Sequence, residues 1–192
     1  MLVGALLIQQ SRWQQVERSL ARLREATALD PRIIAATPEA RLAEWIRPSG
    51  FKRQKARRLR GLSGWWSQTG GHAGLQSLTT PMLRDALLAQ PGIGPETADA
   101  VLLYGFDRPV FVIDAYLRRL LARIDPESAP SDDTTLARRC LDACARDAAA
   151  SRCRHAQIVV HAQQLCRKRP ACERCSLKGG CAYAGSSIAA SR

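Results

Sequence analysis

Four cysteines near the C-terminus have the spacing of a metal-bearing loop: Cys166, Cys172, Cys175 and Cys181. Cys172 and Cys175, with two residues between them, can clasp one centre, and the flanking pair can complete four thiolates. Structural zinc commonly uses two short cysteine pairs with a longer stretch between, and this run has one short pair. Four thiolates suit zinc or an iron–sulfur cluster, so residue chemistry leaves both open. A second group of residues lies upstream, in PGIGPETADAVLLYGFDRPVFVID, residues 91–114. Gly92 and Gly94 flank Ile93 in a turn bounded by Pro91 and Pro95. Glycine permits the tight turn and close approach of another backbone, and the N–H groups of such a hairpin suit a phosphate. Asp114 ends the stretch, at the start of a further helix, where the dipole and free N–H groups favour its ionised form. Its ordinary work there is capping.

The elements that must position these groups have helical period. Residues 2–8 form an apolar helix with no polar face, which belongs in the core, and Gln9, Gln10 and Ser11 break it. A second helix runs from Arg12 to Ala28 with Trp13, Val16, Leu20 and Leu23 on one stripe. Pro31 and Thr37-Pro38 bracket a short link, with Thr37 as N-cap of a helix over 38–46. The run FKRQKARRLR reads as a solvated helix face that continues, amphipathic, through Leu59, Leu62 and Trp66. Gly70, Gly71 and Gly74 make a loop, and Thr80-Pro81 opens the first hairpin helix. PVFVI is a short strand or a loop. After Asp114, Leu117, Leu120, Leu121 and Ile124 line a helix that also bears Arg118, Arg119 and Arg123. Pro126 to Pro130 is a linker; Ser131 or Asp132 caps a helix to about Ala149, another runs from about Cys153 to Leu165, and residues from Ala184 fray. Cys140, Cys144 and Cys153, the four tryptophans, His155 and His161 read as packing or structural residues.

The 192 residues suffice for one domain or two packed lobes, and a formal charge of +12 calls for a polyanion, nucleic acid first. MLVGALLI has no basic lead-in and no cleavage site, and no apolar stretch is long enough to cross a bilayer. Seven cysteines, an odd number with four clustered, then suggest a reducing intracellular compartment and metal rather than disulfides.

The hairpin, the Gly/Pro-rich loop ending in Asp114 and the later cysteine run, in this order, resemble the endonuclease III-like helix-hairpin-helix (HhH-GPD) DNA glycosylases. The resemblance reaches from residue 1 to about residue 182. It implies an all-α, two-lobed fold with a DNA cleft between the lobes. Residues 1–126 would form the helical barrel lobe, and 127–192 a C-terminal lobe with an iron–sulfur loop at 166–181. It implies a [4Fe–4S] cluster on Cys166, Cys172, Cys175 and Cys181, although the first spacer has five residues where the family's usual pattern has six. The cluster would be structural, folding a loop that carries Arg167, Lys168, Arg169, Arg174 and Lys178 towards phosphates.

By the same resemblance Asp114 faces the sugar of an extruded nucleotide, where breaking an N-glycosidic bond builds positive charge. Gly92 and Gly94 would bind DNA, with Gln10 and Phe51 as wedges that fill the vacated duplex. A helix-end amide and a core ring are the ordinary roles of those two residues, and Tyr116 either lines the base pocket or packs. Bifunctional members carry a Schiff-base lysine where this chain has Glu96. The expectation is therefore a monofunctional base-excision repair glycosylase, acting as a monomer on double-stranded DNA with a damaged base, resembling most the branch that removes alkylated purines. Two rivals stay in play: a bifunctional glycosylase/lyase on oxidised pyrimidines, and a non-catalytic DNA-binding module. The implied setting is the cytoplasm, on the nucleoid, of a bacterium. The first helix begins at Met1 without a cap, so a further N-terminal segment is expected, as family members generally have one.

Overall fold

The computed structural model describes residues 1–127 and 132–189, without the side chains of 186–189. Among the described residues there are helices and turns and no strand. They divide by contact into two compact units, Met1–Phe106 and Asp107–Arg192, a division earlier in the chain than the linker-based lobe boundary.

The first unit holds α1 (Leu2–Leu7), α2 (Trp13–Thr27), α3 (Pro31–Ala36), α4 (Glu39–Trp45), α5 (Lys52–Gln68), α6 (Gly71–Gln76), α7 (Thr80–Leu88) and α8 (Pro95–Gly105). Its core is aliphatic: Leu6, Leu7, Leu23, Leu42, Leu59, Leu83, Leu87 and Leu102 are all fully buried. Helix α5 lies against α3 and α4, while α8 pairs with α7 and takes α1 on another side. Truncating one such leucine to alanine costs about 2–5 kcal/mol, because the surroundings collapse only partly into the hole.

Two expected loops in this unit are helices. Asp30 caps α3 by accepting from the Arg32 N–H at 2.7 Å, and Pro31 takes the first turn, where its missing N–H costs nothing. Thr37 is not the cap of α4, since Pro38 holds that place and the Thr37 hydroxyl donates back to the Ile33 carbonyl. The glycines at 70, 71 and 74 start and sit within α6 rather than forming a loop. Trp13 is not core: it is 54% exposed and donates to Glu17.

The second unit holds α9 (Ala115–Ile124), α10 (Asp133–Asp142), α11 (Ala148–Gln164) and α12 (Ala182–Ala189). Phe111, Leu117, Leu136, Leu141 and Cys144 form its core, and α9 packs on α11 and α12. The segment 109–113 is a loop, not a strand. The helix expected to reach Ala149 stops at Asp142, because Ala145 and Arg146 turn into the left-handed region. Asp147 then caps α11, which starts well before Cys153, and Cys153 is exposed rather than core. Asp132 caps α10. The alternative cap Ser131, linker residues 128–130 and residues 190–192 lie outside the described residues. No helix among the described residues is long and apolar enough to cross a membrane.

Candidate functional site

In the first unit, α7 and α8 close the hairpin around buried Ile93. Gly92 has φ +87, which L side chains rarely adopt, and a side chain there would run into Arg58. Gly94 stands at the N-cap of α8 in open space and supplies no side-chain cap. Arg84 clamps Asp99 with two bonds, 2.7 and 3.2 Å, joining α7 to α8; that bond pushes the Arg84 guanidinium further up. Gln9, which sequence reasoning passed over, donates to the Gly92 carbonyl at 2.8 Å and to the Thr97 hydroxyl at 3.1 Å. The next residue, Gln10, is exposed at φ 52. Phe51 is 60% exposed at φ 47, so it is neither a core ring nor on relaxed backbone. Glu96 is exposed in the first turn of α8, without a lysine in its place.

In the second unit, Asp114 caps α9, its Oδ1 accepting from the Leu117 N–H at 2.8 Å. The capping role is therefore real. What separates it from an ordinary cap is its setting: its side chain is only 8% exposed, and Oδ2 lies 3.4 Å from Nε2 of His155 on α11. His155 stands edge-on to Phe111, with ring centroids 6.4 Å apart. The sequence showed His155 only as a helical histidine. Tyr116 is half-buried, accepts from Gln163 at 3.4 Å and lies under the Arg119 guanidinium.

The four clustered cysteines line a single cavity at the far end of α9. Burial pushes the Cys172 thiol up, and its neighbours Cys181, Cys175 and Cys166 add to the effect. Arg123 donates to the Cys166 sulfur at 3.2 Å and to the Arg167 and Lys168 carbonyls, while the Cys181 thiol donates to the Arg123 carbonyl. Arg119 holds the carbonyls of Cys166 and Ala162, and His161 sits 3.7 Å from the Cys175 sulfur. These three supports fix the loop from α9 and α11; the sequence marked His161 as structural but gave no partner for Arg119 or Arg123. Arg167, Lys168, Arg169, Arg174 and Lys178 are exposed. No three His, Cys, Asp or Glu side chains among the described residues converge closely enough for one metal ion. Four thiols ringed about a cavity are a donor set that fits an iron–sulfur cluster, whose ligands stand further apart than those of one ion.

Known proteins match this arrangement over most of its length. The HhH-GPD family, described as a superfamily of base excision DNA repair proteins, matches residues 3–146. The Methanocaldococcus jannaschii protein MJ1434, named as a candidate DNA repair glycosylase, is 34% identical over 94% of this chain and 83% of its own length. The crystal structure of the H. pylori 3-methyladenine DNA glycosylase bound to 1,N6-ethenoadenine superposes with a TM-score of 0.68 at 31% identity, covering 85% of this chain and 83% of that one. A non-covalent endonuclease III–DNA complex has the same fold, with a TM-score of 0.81 at 22% identity over 98% of this chain and 84% of that one. The chain belongs to the HhH-GPD superfamily of base excision DNA repair proteins and is an endonuclease III-like DNA glycosylase.

Proposed function

We propose that the protein is a monofunctional glycosylase that hydrolyses the bond between deoxyribose and a damaged base, an alkylated purine by preference. The observation that carries this reading is the setting of Asp114. One oxygen is spent on the helix cap, which fixes the carboxylate, and the other is turned away from that cap towards His155. A carboxylate so held and so shielded stabilises the positive charge that grows on the sugar as the base departs, and helps to position or deprotonate water. The hairpin N–H groups at Gly92 and Gly94 grip a phosphate, and Gln10 and Phe51 enter the duplex as wedges. A strand-cleaving mechanism needs a lysine amine as nucleophile. Lys52 and Lys55 lie on α5, Lys168 and Lys178 lie in the cysteine run, and the hairpin position holds Glu96. The preference for alkylated purines is supported by the H. pylori relative, a 3-methyladenine glycosylase seen with 1,N6-ethenoadenine.

Cys166, Cys172, Cys175 and Cys181 hold a [4Fe–4S] cluster in this reading, and the cluster's contribution is to cross-link the loop. Arg119, Arg123 and His161 orient that loop, and its exposed Arg and Lys side chains meet phosphates. The test is a set of duplexes with alkylated, oxidised, deaminated and mismatched bases, followed by alkali, with borohydride trapping in parallel. Release of an alkylated purine without a trapped adduct is expected; a covalent adduct would establish the lyase instead. The purified protein should be brown with a broad visible band, and a colourless protein with stoichiometric zinc would overturn the cluster.

A further inference from the structure

Lys55 is 2% exposed although it belongs to the most basic run of the chain. Its neighbours Lys52, Arg53, Gln54 and Arg57 all face solvent. Its ammonium donates to two main-chain carbonyls, Leu7 at 2.8 Å and Ser49 at 2.7 Å. Leu7 ends α1, just before the turn closed by the Ser11 N–H on the Ile8 carbonyl, and Gln10 is the left-handed residue inside that turn. Ser49 ends the turn that delivers Gly50 and the left-handed Phe51. The Lys55 N–H bonds the Phe51 carbonyl at 3.0 Å, so one residue brackets Gly50 and Phe51 from both sides. Two residues beyond Leu7, Gln9 ties the same backbone segment to the hairpin through Gly92 and Thr97.

A charged group is buried at a cost unless it is hydrogen-bonded, and a fully aliphatic residue would fill the site more cheaply. What the ammonium does that an aliphatic side chain cannot is tie two loops remote in sequence to one point. We infer that Lys55 is a positioning residue that makes the turns bearing Gln10 and Phe51 move as one unit, linked through Gln9 to the phosphate-binding hairpin. The inference rests on the wedge reading of Gln10 and Phe51. Both wedges stand on backbone that L residues avoid, so each turn relaxes unless its neighbours over-determine it. Lys55 supplies that constraint to both at once.

The experiment follows opening of a duplex that carries a tetrahydrofuran abasic-site analogue beside 2-aminopurine, read by stopped-flow fluorescence. Gln10→Ala and Phe51→Ala, alone and together, are compared with Lys55 present and in Lys55→Met. Lys55→Met should slow opening about tenfold while leaving affinity for undamaged duplex within about twofold, as expected for loss of hydrogen bonds to a charged group. With Lys55 present the two wedge substitutions should be strongly non-additive; in Lys55→Met they should become additive. If both wedges slow opening but Lys55→Met leaves their coupling unchanged, the staple is refuted and the wedges stand. If neither wedge slows opening, the wedge reading falls and the staple with it. A hydrogen-exchange measurement keeps the idea testable even where Lys55→Met folds poorly. In Phe51→Ala bound to the same duplex, residues 8–11 should lose protection together with 49–52; loss confined to 49–52 overturns the coupling.

Discussion

The two units treat their candidate functional side chains in opposite ways. In Met1–Phe106, Gln10 and Phe51 stand exposed on left-handed backbone, while the group that holds their turns, Lys55, is buried. In Asp107–Arg192 the side chain proposed to carry the chemistry, Asp114, is itself buried, on relaxed backbone at φ −111, held by its own helix cap with His155 3.4 Å away. The difference fits the work proposed for each. A residue that must enter another molecule has to project, so the fold stores strain under it. A carboxylate that must face a developing charge has to be fixed and kept from bulk water, so the fold encloses it.

The largest effect should come from neutralising the enclosed carboxylate. Asp114→Asn keeps an oxygen for the Leu117 N–H, so the cap and the fold survive, while base release should fall about 10³-fold in single-turnover assays. Asp132 is the internal control. It caps α10 through the Thr135 N–H at 2.7 Å, and that bond holds its carboxyl below the usual range, but it is fully exposed. Asp132→Asn should leave base release within about twofold, because an exposed cap contributes locally to its helix and no further. Equal losses at both positions would reduce Asp114 to a structural cap.

His155→Phe sharpens the same contrast at smaller scale. The ring still packs on Phe111, while Oδ2 of Asp114 loses its neighbour. Base release should drop about threefold, the worth of a polar contact at 3.4 Å that falls short of a hydrogen bond, with Tm and duplex affinity little changed. An unchanged rate would leave His155 as packing alone.

How much of this was legible follows the same divide. The hairpin was visible from Gly92 and Gly94 between prolines, and Asp114 as an acid cap announcing a helix start, while its place in the site came only from the family resemblance. The helix break at 143–147 was hidden: no glycine or proline marks it, and Ala145 and Arg146 take left-handed backbone under tertiary constraint. Helix α3 was misread although Asp30-Pro31 is a start signal, cap followed by proline at the first position. Lys55 did leave a trace. Lys55, Leu59 and Leu62 recur at helical spacing on the buried stripe of α5, so the lysine sits where an apolar residue belongs. His155 left none, since only the packing of α9 on α11 brings it to Asp114.

The strain in the first unit predicts a trade between stability and activity. Glycine at position 51 would adopt φ 47 freely, and the exposed ring has little packing to lose. Phe51→Gly should therefore raise stability by about 0.5 kcal/mol, the relief of left-handed strain less the extra entropy of glycine, while slowing base release. Chemical denaturation set beside single-turnover assays checks both halves. A clear loss of stability would mean that Phe51 packs, and would blur the line drawn between the units.

The smallest effect concerns the buried ammonium. Burial pushes Lys55 below the ordinary lysine range. Between its folded and unfolded pKa values the unfolded chain holds more protons than the folded one, so stability from this group rises with pH through that window. Below the window the folded protein bears the full cost of enclosing the charge. Lys55→Met lacks this rise, so the wild-type-minus-variant difference in Tm should climb from neutral pH up to the lysine range, while the contributions of the exposed lysines cancel. A flat difference would mean that the two carbonyl bonds offset the burial in full, and that the staple costs the fold nothing. A rising difference would show the first unit giving up stability to hold the turns of its proposed wedges, a cost that the second unit, with its carboxylate on relaxed backbone, does not bear.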